Sequence, residues 1–300
     1  MNKTGFAIFI LLLTALTAAA QPGVGVDFLG VISNRSPSNP EKHLSDKSSR
    51  SAFDSVCPIE KSPGAKKVLS EYGAMFVGSA TLIKPPTCRF RDDAEVRAFQ
   101  SDLKASFVII NGVQMQFQKA AADSLTGVIA EALAQGVRIR PLDGTIAGGR
   151  SYSDTVRLWN SRFQPALRFW VGRKRISMDD AAAAMQMTTD QQVEKVIEWE
   201  SQGMMFGTNR AGSIFASTAP PGASQHLSLI AIDIAPPVTP ALIALLNMHG
   251  WFQTVIGDRP HFTYLGLTEK ELPGRGLKAL VFDGTRYWVP NILSDTISNP

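Results

Sequence analysis

Residues 220–234 read PPGASQHLSLIAIDI, and this stretch decides the predicted fold together with residues 249–266, HGWFQTVIGDRPHFTYLG. From Ile230 to Ile234 every second residue is isoleucine. Because successive side chains of a strand point to opposite faces, the isoleucines share a buried face and Asp233 lies on the other. The first stretch therefore predicts a strand that carries one acidic side chain opposite its apolar row.

The second stretch predicts a β-hairpin. Two strand-like runs, Trp251–Ile256 and His261–Leu265, are separated by the turn-forming residues Gly257–Pro260. In such a hairpin Asp258 lies at the tip and His261 begins the return strand. These two side chains can then approach one small volume from two positions in the chain.

The first stretch adds a second histidine and a carboxylate to this volume. His226 differs from Asp233 in strand parity, so the two meet only if the chain bends near residues 227–228. Taken singly, Asp233 is better explained as an exposed strand charge and His226 as a loop histidine. Together with His261 they form two imidazoles and one carboxylate, a ligand set of catalytic zinc sites that leaves the fourth position for water. Asp258 is then an unligated carboxylate that can move a proton.

These residues resemble the first motif of a known family, the D-alanyl-D-alanine carboxypeptidase and dipeptidase family of zinc peptidases, the vancomycin-resistance type with the Hedgehog-like fold. That motif is Ser-x-His-x-x-Gly-x-Ala-x-Asp. This chain has Ser224, His226, Ala231 and Asp233 at the same spacings, and Leu229 at the glycine position.

The second motif of the family is Glu-x-x-His, usually with Trp before the histidine. In this chain Asp258 and His261 stand at those positions, and Pro260 precedes the histidine. The family also has an upstream arginine, followed by serine and an aromatic residue, that helps to bind the substrate or stabilise the oxyanion. Residues 149–152, GRSY, resemble this block and supply Arg150.

The resemblance, which runs from residue 136 to residue 266, implies an α+β fold. The expected architecture is an antiparallel sheet flanked by helices, of the Hedgehog/DD-peptidase type, here with an N-terminal α/β extension. The implied reaction is hydrolysis of a peptidoglycan stem peptide by a D,D-carboxypeptidase or related hydrolase that uses one zinc ion. The implied site residues are the zinc ligands His226, Asp233 and His261, the catalytic residues Asp258 and Arg150, and the substrate contacts Arg150 and Ser224.

Two departures from the family keep an alternative open, a catalytically weak or inactive zinc-binding or cell-wall-binding protein on the same scaffold. Asp258 is one methylene shorter than glutamate, roughly 1.5 Å of reach, and a misplacement of about 1 Å can cost on the order of 10²-fold in rate. Leu229 adds bulk near the metal-bearing strand and is expected to narrow the substrate cleft. A third interpretation is a structural envelope protein. In such a protein His226, Asp233 and His261 only form hydrogen bonds in the core.

The sequence between the N-terminal third and these motifs predicts alternating strands and helices. Asn111-Gly112 predicts a two-residue hairpin turn, because both positions accept a positive φ. Gly136 suits the left-handed cap of a helix over residues 120–135. Residues 137–140 are predicted to form a short strand. A helix is expected from residue 154, with a break or kink at Pro165.

Several polar residues have explanations that compete with a functional role. Ser177 and Thr189 each resemble the start of a capping box and predict two further helices. Arg150 can form a surface ion pair with Asp154. His249, at the C-terminal end of a predicted helix, is explained better by the helix dipole than by metal binding.

The N-terminal sequence predicts export. Lys3 and the apolar run Gly5–Leu16 are followed by small residues, which is typical of a signal peptide; an uncleaved membrane anchor is the alternative. The mature protein is therefore expected to be secreted or periplasmic. The predicted organisation is a signal peptide (1–20), a flexible linker (21–52), an N-terminal α/β region (53–135), a zinc peptidase-like domain (136–292) and a tail (293–300).

Charge and cysteine content limit the possible partners. The net charge is only +4, and the basic residues are scattered along the chain, which does not favour a nucleic-acid partner. A peptide substrate is expected instead, with no membrane span once the signal is removed. Two cysteines in an exported chain usually pair, so we predict a Cys57–Cys88 disulfide.

Overall fold

The computed structural model describes Phe53, Val56, Cys57 and residues 62–292, which contain helices and short antiparallel strands. All of them belong to one unit, Pro40–Pro300. The predicted signal peptide (1–20), linker (21–52) and tail (293–300) lie outside the described residues.

Helices dominate the described part of the chain. The α-helices are α1 (Pro63–Tyr72), α2 (Asp93–Asp102), α3 (Lys119–Ala134), α4 (Tyr152–Gly172), α5 (Met178–Gln186), α6 (Thr189–Ser201) and α7 (Pro240–Met248). The strands are β1 (Ser106–Ile110), β2 (Val113–Phe117), β3 (Ala231–Asp233), β4 (Trp251–Phe252), β5 (His261–Tyr264), β6 (Leu277–Phe282) and β7 (Thr285–Pro290). The predicted α+β class is confirmed, although the described strands are divided among three small antiparallel sheets.

Helix starts follow the capping chemistry of the sequence. The hydroxyl of Ser177 accepts a hydrogen bond from the backbone N–H of Asp180 at the start of α5, as predicted. The capping box of α6 lies one residue earlier than predicted, at Thr188 and Gln191. A break or kink was predicted at Pro165, and the break is wrong, because α4 continues through this residue.

The predicted hairpin at Asn111-Gly112 is confirmed, with φ of 50° and 78° at the two turn residues and Ile110 paired with Val113. The predicted strand over residues 137–140 is wrong. This segment reaches the end of β3 only through an isolated bridge between Pro141 and Ile234. Proline has no N–H to extend a ladder, which accounts for the single bridge.

A three-stranded sheet in the order β3–β5–β4 carries the residues of interest. Ile232 is paired with Phe262, and both side chains are buried on the face that packs against α3, α7 and the β1–β2 hairpin. Asp233 is paired with His261 in the next register position. Since side chains alternate along a strand, Asp233 and His261 lie side by side on the opposite face.

The predicted disulfide between Cys57 and Cys88 is confirmed, with the two Cα atoms 4.7 Å apart. It joins the N-terminal end of the described chain to the segment before α2. No helix among the described residues is both long enough and apolar enough to cross a lipid bilayer.

Candidate metal centre

His226 is brought to the site by an irregular segment rather than by a strand. It lies in a 3-10 turn, Gln225–Ser228, and Leu229 follows in the left-handed conformation with φ of 55°. Only then does β3 begin. The chain therefore bends where the sequence required a change of parity, and the imidazole of His226 reaches the face of β3 that carries Asp233.

The three side chains proposed as ligands converge in the structure. His261 Nδ1 lies 3.0 Å from Asp233 Oδ1, and His226 Nε2 lies 3.3 Å from the same oxygen. The two imidazole nitrogens are 3.2 Å apart. His226 and His261 are almost fully buried, and the side chain of Asp233 is 14% exposed. His226, Asp233 and His261 thus form a candidate metal site.

In each imidazole, the ring nitrogen that faces away from the cluster forms a hydrogen bond, and this bond determines which nitrogen carries the proton. His226 Nδ1 lies 2.7 Å from the carbonyl oxygen of Gly148, which can only accept, so Nδ1 carries the proton. His261 Nε2 lies 2.8 Å from Gln225 Oε1, while Gln225 Nε2 donates to the carbonyl of Tyr72 over 2.9 Å. That second bond orients the amide, so His261 donates from Nε2. In the neutral tautomers that these acceptors favour, the nitrogens that face the cluster carry the lone pairs that a metal ion needs.

The charge of His226 agrees with this assignment. Burial, followed by the nearby Arg150 charge, lowers the pKa of His226 to about 4, so its imidazole is neutral at neutral pH. Burial by itself would raise the pKa of Asp233, but its interactions with His226 and His261 hold that pKa well below the usual range. Asp233 therefore carries its negative charge beside the two imidazoles, where a proton or a cation can be shared with them.

The donor set fits a zinc ion. In a tetrahedron with bonds of about 2.0–2.1 Å, neighbouring ligand atoms are roughly 3.3 Å apart. The three separations of 3.0, 3.2 and 3.3 Å are close to that edge length. Each histidine also donates its second N–H to an oxygen acceptor, which is the usual way a metal-bound imidazole is oriented.

Arg150 lies beside the cluster and is bonded to one of its members. Its Nη2 donates to Asp233 Oδ2, and its Nε donates to the carbonyl of Ile146 over 2.8 Å. This pairing leaves Asp233 Oδ1 directed at the imidazoles. The alternative ion pair of Arg150 with Asp154 is wrong, because Asp154 pairs with Arg157.

Asp258 lies in the turn between β4 and β5 and lines the same cavity as the three cluster residues. Its carboxylate forms no hydrogen bond or ion pair with other described residues. Burial raises the pKa of Asp258, the charge of Asp233 raises it further, and His261 and Arg150 oppose the change. The cavity thus contains a carboxylate that is close to the cluster and not committed to a structural contact.

The cavity has a volume of about 220 Å³ and also contains Ser224, whose residue is 4% exposed. Several lining residues were not found from the sequence, because their spacing is that of ordinary core or loop residues. Leu158 and Arg162 are four apart on α4, which is the one local signal that both point the same way. This group also includes Tyr72, Asp143, Phe215 and Val255.

One expectation about a neighbouring residue is corrected. Leu229 does not line the cavity; its buried side chain packs in a cluster with Leu227, Phe90 and Phe99, so it does not narrow the cleft. His249 lies outside the ligand cluster and caps the C-terminal end of α7, as expected, and its Nε2 is 2.9 Å from a carboxylate oxygen of Glu131.

Comparison with known proteins gives a likeness to a solved structure. No protein-family model matches the chain, and no curated protein matches it. The chain is similar to the crystal structure of a point mutant of the vancomycin resistance D,D-pentapeptidase VanY, from the VanB-type resistance cassette, in complex with Zn(II). The identity is 14%, the match covers 55% of this chain and 82% of that chain, and the TM-score is 0.31.

Proposed function

We propose that this protein is a zinc-dependent peptidase with His226, Asp233 and His261 as ligands. The observation that carries the proposal is the convergence of two imidazole nitrogens and a carboxylate oxygen at separations of 3.0–3.3 Å. A buried group of this kind is electrostatically unfavourable unless a proton or a cation lies among its acceptor atoms. With Zn²⁺ it supplies three of four ligands and leaves one position open, as in catalytic zinc sites.

The residues around the cluster suit hydrolysis of an amide bond. A bound zinc ion would polarise a carbonyl and lower the pKa of a water ligand to about 7. Asp258 accepts the proton from the attacking water and returns it to the leaving amine, and its raised pKa suits transfer in both directions. Arg150 holds Asp233 in position for the metal. Ser224 contributes a hydroxyl to the substrate side of the cavity.

The sequence motifs suggest the substrate class. They resemble those of enzymes that remove a terminal residue from peptidoglycan stem peptides, so the proposed activity is that of a D,D-carboxypeptidase or a related hydrolase on a Hedgehog/DD-peptidase-like scaffold. The Cys57–Cys88 disulfide supports an oxidising, extracytoplasmic location, where this substrate lies.

A zinc-binding or wall-binding protein with little or no turnover is the second candidate. One observation favours it specifically. The Arg150 guanidinium is already bonded to Asp233 and Ile146, so it has less to offer an oxyanion than a cation without such partners. The side chain of Asp258 is also shorter than the family's glutamate, and this favours the same second candidate.

Metal analysis of the purified protein tests the site, and we expect close to one zinc per chain. His261→Ala is expected to lose most of this zinc, whereas His249→Ala, at a histidine outside the cluster, is expected to keep it. Absence of zinc from the wild type, after reconstitution with excess metal, would exclude both zinc-based functions.

Hydrolysis of D-Ala-D-Ala-ended peptides separates the two functions. Asp258→Asn is expected to lower kcat about 10²–10⁴-fold while zinc content is unchanged, because general acid–base catalysis is worth that much. Asp143→Asn removes a carboxylate from the same cavity and is expected to retain most of the rate. Equal rates for wild type and Asp258→Asn would remove Asp258 as the base, and a zinc-loaded wild type without turnover would favour the binding protein.

A further inference from the structure

Arg162 points into the metal cavity from α4. It follows Leu158 by four residues, and both side chains line the cavity together with the proposed ligands. Trp159 and Phe163, on the adjacent face of the helix, are fully buried in the core. Packing of these two aromatic rings therefore determines the rotation of α4 and directs Arg162 toward the cavity.

The guanidinium of Arg162 lacks a charged partner among the described residues. Its Nε is buried without a hydrogen-bond partner, and the contact found for the group is Nη1 with the neighbouring Ser161 Oγ at 2.8 Å. Arg150, the other arginine of the cavity lining, is paired with Asp233. Arg162 is half-buried at the cavity wall, and a guanidinium without an anionic partner there suits an anionic group of a ligand.

The cavity around Arg162 limits the size and polarity of the ligand that carries the anionic group. Phe215 lines the cavity and packs against Trp159 of α4, with ring centroids 6.0 Å apart. Ala216 and Ala219, which have small side chains, also line the cavity. The volume of about 220 Å³ is below the range of about 300–1,000 Å³ that holds drug-sized ligands. A short chain end with a small apolar side chain fits these limits.

We infer that Arg162 binds the free α-carboxylate of the terminal residue of the substrate. A guanidinium and a carboxylate pair in a planar, two-bond geometry that also orients the ligand. The terminal carboxylate then lies against α4 while the adjacent peptide carbonyl lies at the metal ligands. The centre is accordingly an exopeptidase site that requires a free carboxyl end. This inference rests on the proposed function, and it assigns the anionic end to Arg162 rather than to Arg150.

Binding of a matched pair of ligands tests the inference. N-acetyl-D-alanyl-D-alanine and its C-terminal amide differ only in the carboxylate, and their affinities for the zinc-loaded Asp258→Asn protein can be measured by calorimetry without turnover. The acid is expected to bind about 10–100-fold more tightly than the amide, because a charged hydrogen-bonded pair is lost. Arg162→Gln is expected to weaken acid binding by the same factor and to leave amide binding and zinc content unchanged.

Two further variants act as controls. Arg162→Lys keeps the charge and is expected to recover part of the preference for the acid. Arg168→Gln removes an exposed arginine from the same helix and is expected to change neither affinity. An acid preference that survives in Arg162→Gln would overturn the inference, as would equal weakening of acid and amide.

Failure of this inference is distinct from failure of the proposed function. Zinc-dependent hydrolysis of the acid and the amide at equal rates would leave the peptidase standing and remove the role of Arg162. Binding of neither ligand by the zinc-loaded protein would overturn the carboxylate site. Loss of zinc binding itself would overturn the function on which the inference rests.

Discussion

Replacing Gln225 by methionine tests how the metal centre is organised, because Gln225 touches no metal-facing atom. Its Oε1 accepts from His261 Nε2 at 2.8 Å and from Thr254 Oγ1 at 3.1 Å, and it also contacts the hydroxyl of Thr263. Its residue is 1% exposed. Gln225→Met preserves length and volume but removes the acceptor that places the proton of His261 on Nε2.

The size of the effect follows from the contacts that remain. An unpaired buried donor costs about 1–3 kcal/mol, and loss of an outer hydrogen bond to a ligand typically lowers metal affinity about 10–100-fold. Thr263 Oγ1 lies 3.3 Å from His261 Nε2 and can accept part of the hydrogen bond. The hydroxyl oxygens of Thr263 and Thr254 are also 2.7 Å apart, so these two groups can form a hydrogen bond with each other. We therefore expect the lower end of the range, about a 10-fold loss of zinc affinity.

The assay is competition for zinc against a chromophoric chelator, with the absorption spectrum of the cobalt-substituted protein as a second measurement. Gln225→Glu keeps an acceptor at the same position and is expected to bind zinc as tightly as the wild type. Unfolding midpoints in the presence of chelator show whether a variant has lost the fold instead. Equal zinc affinities for wild type and Gln225→Met, with unchanged cobalt spectra, would refute the assignment of His261 Nδ1 as the metal-facing nitrogen.

Other predictions concern pH, the disulfide and backbone strain. Asp258 must be ionised to accept a proton, and burial raises its pKa. As the pH is lowered, kcat/KM is therefore expected to fall at a pH above the ordinary aspartate pKa of about 4. A fall in kcat/KM only at or below that pH would contradict the assignment of Asp258 as the base. His226, with a pKa of about 4, is not expected to be protonated in that range, and zinc content measured at each pH checks this. Removing the Cys57–Cys88 disulfide, which closes 31 residues, is expected to lower unfolding stability by roughly 3–4 kcal/mol in urea titrations of the double alanine variant; an unchanged midpoint would contradict it. Leu229→Gly removes the strain of a left-handed φ, about 1–2 kcal/mol, but it also removes a buried side chain that contributes about 2–5 kcal/mol. A net loss of unfolding stability is therefore expected. A gain in stability would show that the backbone strain is the larger effect.

The ligand positions could be predicted because the rules involved are local. Alternation along the isoleucine row assigned Asp233 to the opposite face, and the breakers before His261 predicted the turn that contains Asp258. The parity conflict at His226 required a bend, and the structure has a 3-10 turn and a left-handed residue there. Errors also arose locally, as at residues 137–140, where apolar residues were read as a strand although Pro141 limits the pairing.

The partners of the ligands could not be predicted, because they come from distant parts of the chain. Tyr72, which orients the Gln225 amide, is 153 residues away, and Arg150 is 83 residues from Asp233. No spacing rule links such positions. The same is true of Arg162, whose direction depends on how α4 packs its aromatic face against the core.

By itself, the sequence determined which side chains can act as ligands, the strand face of Asp233, the hairpin that carries His261 and the disulfide. Periodicity, turn chemistry and residue type act over a few residues, so their consequences can be predicted without knowledge of the fold. Only the tertiary structure decided that Arg150 is committed to Asp233, that Gln225 sets the proton on His261, that Leu229 packs away from the cavity and that Arg162 faces it unpaired. Those outcomes depend on how separate elements pack against one another, and packing is a property of the whole chain rather than of any local stretch.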